Sequence, residues 1–143
     1  MLTLVGRQWQ HLPLSDRNAT FGDAGMGRLT THVLDTARGR PGDGIAVTVY
    51  RLDGGRDRIE VARTRTNADG RTDHPVLEGA AFVSGVYEIV FAAGEYFARA
   101  QSKLPDPPFV GDVVLRFGVA SAAEHYHVPL LVSPWSYQTY RGR

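Results

Sequence analysis

Apolar and polar residues alternate with a period of two in short runs along most of the chain, and this restricts the fold more than any other feature. In an extended strand successive side chains point to opposite faces, so each such run offers one face to a core and one to solvent. Ile45, Val47 and Val49 alternate with Ala46, Thr48 and Tyr50; Ile59 and Val61 carry the pattern through the run from Asp57 to Thr66; Val113, Leu115, Phe117 and Val119 repeat it. The Thr- and Val-rich run from Leu29 to Leu34, the nearly continuous apolar run from Val86 to Phe91 and the run from Tyr126 to Val132 complete the predicted strands. Between them lie Arg40-Pro41-Gly42-Asp43-Gly44, Asp53-Gly54-Gly55 and Asn67-Ala68-Asp69-Gly70, residues that accept tight or left-handed backbone. Short strands separated by such turns predict a mainly β sandwich or barrel. One segment departs from the period. Gly94 to Lys103 reads as the single helix, with Phe97 and Leu104 able to face inward, and Pro105-Asp106-Pro107-Pro108 stops it.

The alternation begins only near residue 28. Before it, Gly, Asp, Asn and Arg are scattered without a period, so the domain is expected to span residues 27–143, with residues 1–26 an N-terminal extension, flexible or derived from an upstream start. A chain of 143 residues holds one core and hence one kind of site. With 16 basic and 15 acidic side chains spread along the sequence, no basic stripe suits a phosphate backbone, and nucleic acid is not expected as a partner. The absence of cysteine removes disulfides, thiolate nucleophiles and cysteine-based zinc sites together and suits a cytoplasmic location. The opening Met1-Leu2-Thr3-Leu4-Val5 is too short for a signal-peptide core or a membrane span, so neither export nor anchoring is expected.

Three of the five histidines are the foremost candidates for chemistry, because imidazole is the side chain best suited to proton transfer near neutral pH. His32 lies in the first predicted strand, and His125 and His127 lie two apart in the last, on one face of a regular strand. By default a histidine in a strand is a surface or hydrogen-bonded residue, and His11 and His74 are left on that reading. His125 and His127 could hold zinc if His32 came alongside, but no His-Glu-x-x-His helix or carboxylate cluster supports a metal. Ser133 and Ser136 sit in no nucleophile elbow, which leaves an activated water as the better nucleophile. Arg71, directly after the Asp69-Gly70 turn, could present paired donors to an oxygen-rich ligand; by default it is solvated. The tail from Tyr137 to Gly142 has too few aliphatic residues for a core strand and yet is not flexible-linker composition, so it is expected to dock.

Four segments, in order, resemble the transthyretin-like 5-hydroxyisourate hydrolases. They are Leu29-Thr30-Thr31-His32-Val33-Leu34-Asp35, Thr66-Asn67-Ala68-Asp69-Gly70-Arg71, the stretch His125-Tyr126-His127-Val128-Pro129-Leu130-Leu131-Val132-Ser133-Pro134, and the tail Tyr140-Arg141-Gly142. The resemblance spans residues 28 to 143. It implies a transthyretin-like two-sheet β-sandwich with one short helix, assembled as a homotetramer, a dimer of dimers whose active sites open onto a central channel. The implied reaction is hydrolysis of 5-hydroxyisourate to 2-oxo-4-hydroxy-4-carboxy-5-ureidoimidazoline, with no cofactor and no metal. By residue-to-residue carry-over, His32, Arg71, His127 and Tyr140 are the implied catalytic residues, and His32, Arg71, Tyr140, Arg141 and Gly142 the implied substrate contacts.

In physical terms, the two histidines would orient and deprotonate water, Arg71 would hold substrate oxygens and offset developing charge, and Tyr140 would hydrogen-bond the ring. The chain departs from the family's Tyr-Arg-Gly-Ser ending at its last residue, where a neutral hydroxyl becomes the long cation of Arg143. Two other readings attach to the same features: a transthyretin-like carrier of small ligands, and a zinc-dependent cyclic amide hydrolase. A carrier of apolar aromatic ligands has no need of convergent His32, Arg71 and His127, which ranks it below the hydrolase.

Overall fold

Two long-range parallel strand pairs build the layer that carries most of the candidate residues. The computed structural model describes residues 27–54, 56–100 and 103–143; the extension expected over residues 1–26, with His11, lies outside the described residues. Strand β1 (Arg28–Thr30) runs parallel to β9 (His125–His127), and β2 (Val33–Asp35) parallel to β10 (Leu130–Val132). Arg28 opposite His125 and Val33 opposite Leu130 share the same offset of 97 residues, so these are one strand pair with a short interruption. Backbone bonds span the gap: Val128 N–H donates to the Thr30 carbonyl and Leu130 N–H to the His32 carbonyl, each at 2.9 Å.

The sequence pattern predicts two uninterrupted strands here, and two local facts break them. Pro129 has no N–H to give to a ladder. On the other side the chain exchanges partners, β1 pairing with β6 (Leu77–Glu78) and β2 with β3 (Arg40–Pro41), while His32 between them bridges Arg71. The alternation survives the break. Leu29, Thr31, Val33 and Asp35 are buried and Thr30, His32 and Leu34 are partly exposed, so the run keeps one inner and one outer face. The tail docks as expected, through β11 (Tyr137–Thr139) antiparallel to β10.

The opposing layer is antiparallel, in the order β5-β4-β7-β8, formed by β5 (Asp57–Arg65), β4 (Ala46–Asp53), β7 (Gly85–Phe91) and β8 (Val113–Val119). Val47, Val49, Ile89 and Phe91 from this layer meet Leu29, Val33, Leu130 and Val132 from the first in one core, all fully buried. Each such side chain contributes on the order of 1.5–3 kcal/mol by leaving water. The period-two reading is least accurate for β5. Ile59 is exposed and Val61 only partly buried, because β5 is an edge strand and a bulge opposite Val49/Tyr50 leaves Val61 without a partner. Its charged Arg58, Glu60, Arg63 and Arg65 discourage further pairing along that edge.

Helix α1 (Ala93–Ala100) starts directly after β7 and buries Ala93, Tyr96 and Phe97 along one stripe. Tyr96 also ties the helix to β2. Its hydroxyl donates to Asp35 Oδ2 at 2.7 Å, Arg38 Nε donates to the same oxygen at 2.9 Å, and Oδ1 accepts the N–H groups of Ala37 and Arg38. Burial pushes the Asp35 carboxyl up, but the hydrogen bonds from Arg38 and Tyr96 outweigh it and hold the group below the usual carboxylate value. No helix among the described residues is long and apolar enough to cross a membrane.

Candidate active site

The outer face of β1 and β9 is where polar chemistry gathers. Because Leu29 and Thr31 point inward, Arg28, Thr30 and His32 point outward, and the parallel register sets Arg28 against His125 and Thr30 against His127. Thr30 Oγ1 lies 2.7 Å from His125 Nε2 and 2.8 Å from His127 Nδ1, so one hydroxyl is shared by two imidazoles. The inward residue is used structurally: Thr31 donates to the Val128 carbonyl at 2.7 Å and is buried.

Arg71 reaches this face through the geometry of its turn. Asn67 Oδ1 accepts the N–H groups of Asp69 and Arg71, and Asn67 N–H donates to the Arg71 carbonyl at 2.7 Å, which closes the loop on itself. Gly70 has φ +75° and passes so close to β2 that a Cβ there would lie 2.3 Å from the Val33 carbonyl oxygen. Only glycine accepts both constraints. The next residue is thereby laid against His32 as an antiparallel bridge, and the Asp69 carbonyl accepts a hydrogen bond from His32 Nε2 at 3.0 Å. A neutral His32 so held carries its proton on Nε2.

The tail closes a third side. Gly142 N–H donates to the His127 carbonyl at 2.6 Å and His127 N–H returns a bond to the Gly142 carbonyl at 3.3 Å. Arg141 holds the tail in place: its guanidinium stacks 3.9 Å from the centre of the Tyr126 ring and donates to Glu124 Oε1 and the His125 carbonyl.

These elements enclose a cleft of about 430 Å³ lined by Arg28, Thr30, Arg71, His125, His127 and Arg143, with the Thr72–Pro75 segment as its wall. None of the salt bridges among the described residues engages Arg28, Arg71 or Arg143, so these three cations face the cleft together with one lining carboxylate, Asp73, which accepts a hydrogen bond from Asn67 Nδ2 at 3.0 Å. Burial lowers the pKa of His127 first, and Arg71, His125 and His32 lower it further. Burial and Arg71 lower that of His32 against the opposing pull of Asp69, and burial with Arg28 and Arg141 lowers that of His125. The lowering favours the neutral, proton-accepting form of all three rings. Among the described residues no three histidine, aspartate or glutamate side chains converge to hold a metal ion.

The structure thus brings His32, Arg71, His127 and Gly142 together, and it places two other predicted residues differently. Arg141 is committed to Glu124, His125 and Tyr126. Tyr140 is 57% exposed and lines a separate groove of about 470 Å³ with Phe117, Tyr126 and Val128. Ser133 serves a local turn, accepting the N–H groups of Trp135 and Ser136. Sequence reasoning gave no role to Thr30 and Arg28 and set His74 aside, yet all three line the cleft. The signal for Thr30 and Arg28 is the alternation that singles out His32, two and four positions earlier on the same face.

The chain is similar in sequence and fold to several known proteins. A 5-hydroxyisourate hydrolase of Pseudomonas aeruginosa is 58% identical over 117 residues, a stretch covering 82% of this chain and 92% of that protein. The crystal structure of an (S)-allantoin synthase superposes with a TM-score of 0.77 at 44% identity over 82% of this chain, which spans 44% of that longer chain. The structure of Klebsiella pneumoniae 5-hydroxyisourate hydrolase superposes with a TM-score of 0.67 at 30% identity, over 82% of this chain and 100% of that one. The sequence profile of the HIUase/Transthyretin family matches residues 29–142, within which every described side chain of the cleft except those of Arg28 and Arg143 falls, and the chain belongs to that family.

Proposed function

We propose that the chain hydrolyses 5-hydroxyisourate to 2-oxo-4-hydroxy-4-carboxy-5-ureidoimidazoline. The observation that carries this reading is a cleft in which His125 and His127 stand beside Arg71, which enters no salt bridge among the described residues, with His32 bridged to Arg71 at its edge. The substrate is a flat, oxygen-rich ring, and the reaction needs a deprotonated water and a stabilised oxyanion. A histidine, His127 or His32, takes a proton from water as its oxygen bonds to a ring carbonyl carbon. The negative charge that builds on the carbonyl oxygen is offset by Arg71. Collapse of the intermediate breaks the ring C–N bond, and the proton returns to the leaving nitrogen. The chain's relatives that carry the hydrolase name support the substrate, and a cleft this polar does not favour an apolar-ligand carrier.

The same reading places the chain in a homotetramer, a dimer of dimers. Tyr140 and Phe117 line a largely apolar open groove away from the cleft, a surface that a second copy would cover, and the Tyr140 contact with substrate requires groove and cleft of different copies to meet. A cysteine-free composition suits the reducing cytoplasm as its location.

The test is direct. Freshly generated 5-hydroxyisourate is added and its ultraviolet absorbance followed with and without protein; acceleration is expected, and decay no faster than the spontaneous rate would sink the assignment. Light scattering during size-exclusion chromatography is expected to give four times the chain mass.

A further inference from the structure

We infer that Thr30 and His125 fix the tautomer of His127, holding its proton on Nδ1 so that Nε2 presents a free lone pair to the cleft. Thr30 Oγ1 is within hydrogen-bond distance of both His125 Nε2 and His127 Nδ1, at 2.7 and 2.8 Å. A hydroxyl has one hydrogen and two lone pairs, so it cannot donate to both rings. Among the described residues these two nitrogens are the only side-chain partners of Oγ1. If the hydroxyl hydrogen goes to His125 Nε2, Oγ1 is left to accept Nδ1–H from His127, and all three groups are satisfied. The reverse arrangement, with the hydroxyl hydrogen on His127 Nδ1 and His125 Nε2–H donated to Oγ1, satisfies the same three groups, and Nε2 of His127 must then carry the ring proton.

The two arrangements differ in what His127 can do. With Nδ1–H donated to Thr30, Nε2 accepts a proton and the resulting imidazolium keeps its bond to Oγ1, so nothing has to turn during proton transfer. With Nδ1 as acceptor, no lone pair faces the cleft until the hydroxyl rotates and the ring proton moves. The backbone of His127 is tied to the tail, where Gly142 N–H donates to its carbonyl and its own N–H donates to the Gly142 carbonyl. With Nδ1 on Thr30, Nε2 is the ring nitrogen left for the cleft that His127 lines. Thr30 and His125 are positioning residues in this scheme, as the carboxylate is in a Ser-His-Asp triad. Thr30 and His125 each lie two residues from His32 and His127 and so share their face, and the β1/β9 register sets Thr30 opposite His127.

The inference rests on the proposed reaction in one respect, that His127 is the residue that accepts a proton from water. The test separates the two. Nitrogen-15 NMR of the histidine-labelled full chain, without substrate, is expected to show His127 as the Nδ1–H tautomer. Thr30→Val and His125→Phe are each expected to move it toward the Nε2–H tautomer, and Thr30→Ser to retain the native form. Turnover of 5-hydroxyisourate should fall with the tautomer: kcat lower by about 10- to 100-fold in Thr30→Val, the usual loss for a group that orients another, with KM little changed, and restored in Thr30→Ser. His125→Phe alters a second partly exposed side chain and supplies the same readout if the change at Thr30 impairs folding. An Nε2–H tautomer in the native chain, or an unchanged tautomer and kcat in both variants, overturns the inference. An Nδ1–H tautomer in a chain that does not accelerate hydroxyisourate decay would instead overturn the proposed reaction.

Discussion

His32 and Arg71 are cross-strand partners, joined by an isolated antiparallel bridge that lies between the two segments of an interrupted strand. The bridge depends on Gly70, whose N–H donates to the Asn67 carbonyl and whose carbonyl accepts Val33 N–H at 2.8 Å. Gly70→Ala is expected to cost more than about 1 kcal/mol, since alanine resists positive φ and its Cβ would strike the Val33 carbonyl. Because Arg71 moves with the turn, the same variant should raise KM. Urea unfolding and steady-state kinetics check both halves; a stable variant with native KM would contradict the role given to the turn.

The acid side of the activity profile should reflect the neutral histidines. Burial and Arg71 depress both His32 and His127, so the limb of kcat/KM is expected to fall at a pH below the ordinary imidazole value of about 6.5. Arg71→Met removes one of the two leading causes and should move that limb upward, besides weakening substrate binding. The stability linkage has a definite sign. A histidine with a lowered folded pKa contributes stability that is whole above about pH 6.5 and is lost as pH falls through the folded value, where the unfolded chain binds the extra proton. Chemical denaturation between pH 7.5 and pH 5 on the native and Arg71→Met chains is the measurement.

Tyr96→Phe should destabilise the domain by roughly 1.5–3 kcal/mol, the range for a hydrogen bond to a charged group. The lost hydroxyl otherwise donates to Asp35, which is 1% exposed. Since the Asp35 carboxyl is held below its usual value, its contribution is present above about pH 3.9 and disappears as pH falls through the folded value. The deficit of the variant is therefore expected to shrink in acid. A deficit independent of pH would show that packing, not the carboxylate, accounts for the loss.

Arg141→Ala is expected to lower global stability modestly, by roughly 0.5–2 kcal/mol, since an exposed ion pair contributes about 0–1 kcal/mol and its stacking on Tyr126 about 0.5–1 kcal/mol. A further effect should be local. Faster amide exchange at Gly142 and His127, which bond to each other across the tail bridge, is the predicted signature. Hydrogen exchange equal to that of the native chain would mean that β11 alone holds the tail.

Much of the architecture is legible in the chain itself. Period-two runs at Ile45–Tyr50 and Val113–Val119 and the nearly continuous apolar run at Val86–Phe91 mark strands because such patterns are local properties of extended backbone, and Asn67-Ala68-Asp69-Gly70 marks a turn because its chemistry is contained within five residues. The family motifs likewise single out His32, Arg71 and His127. Two errors share a cause. The sequence pattern predicts unbroken strands through His32 and Pro129 and a core-facing side for β5, and the structure differs because partner exchange and edge position are decided by what lies alongside a strand. The same holds for the site. Thr30 shares its hydroxyl with His125 and His127, 95 and 97 residues away, and Tyr140 lines a groove other than the one that its neighbour Gly142 helps to shape. Parallel pairing across such a distance leaves no local pattern, since its register comes from the buried Leu29, Val33, Tyr126 and Leu130 meeting in a common core. The residue types needed for the chemistry are thus written along the chain, while which nitrogen of His127 meets Thr30, and which side of the molecule Tyr140 faces, are settled by packing.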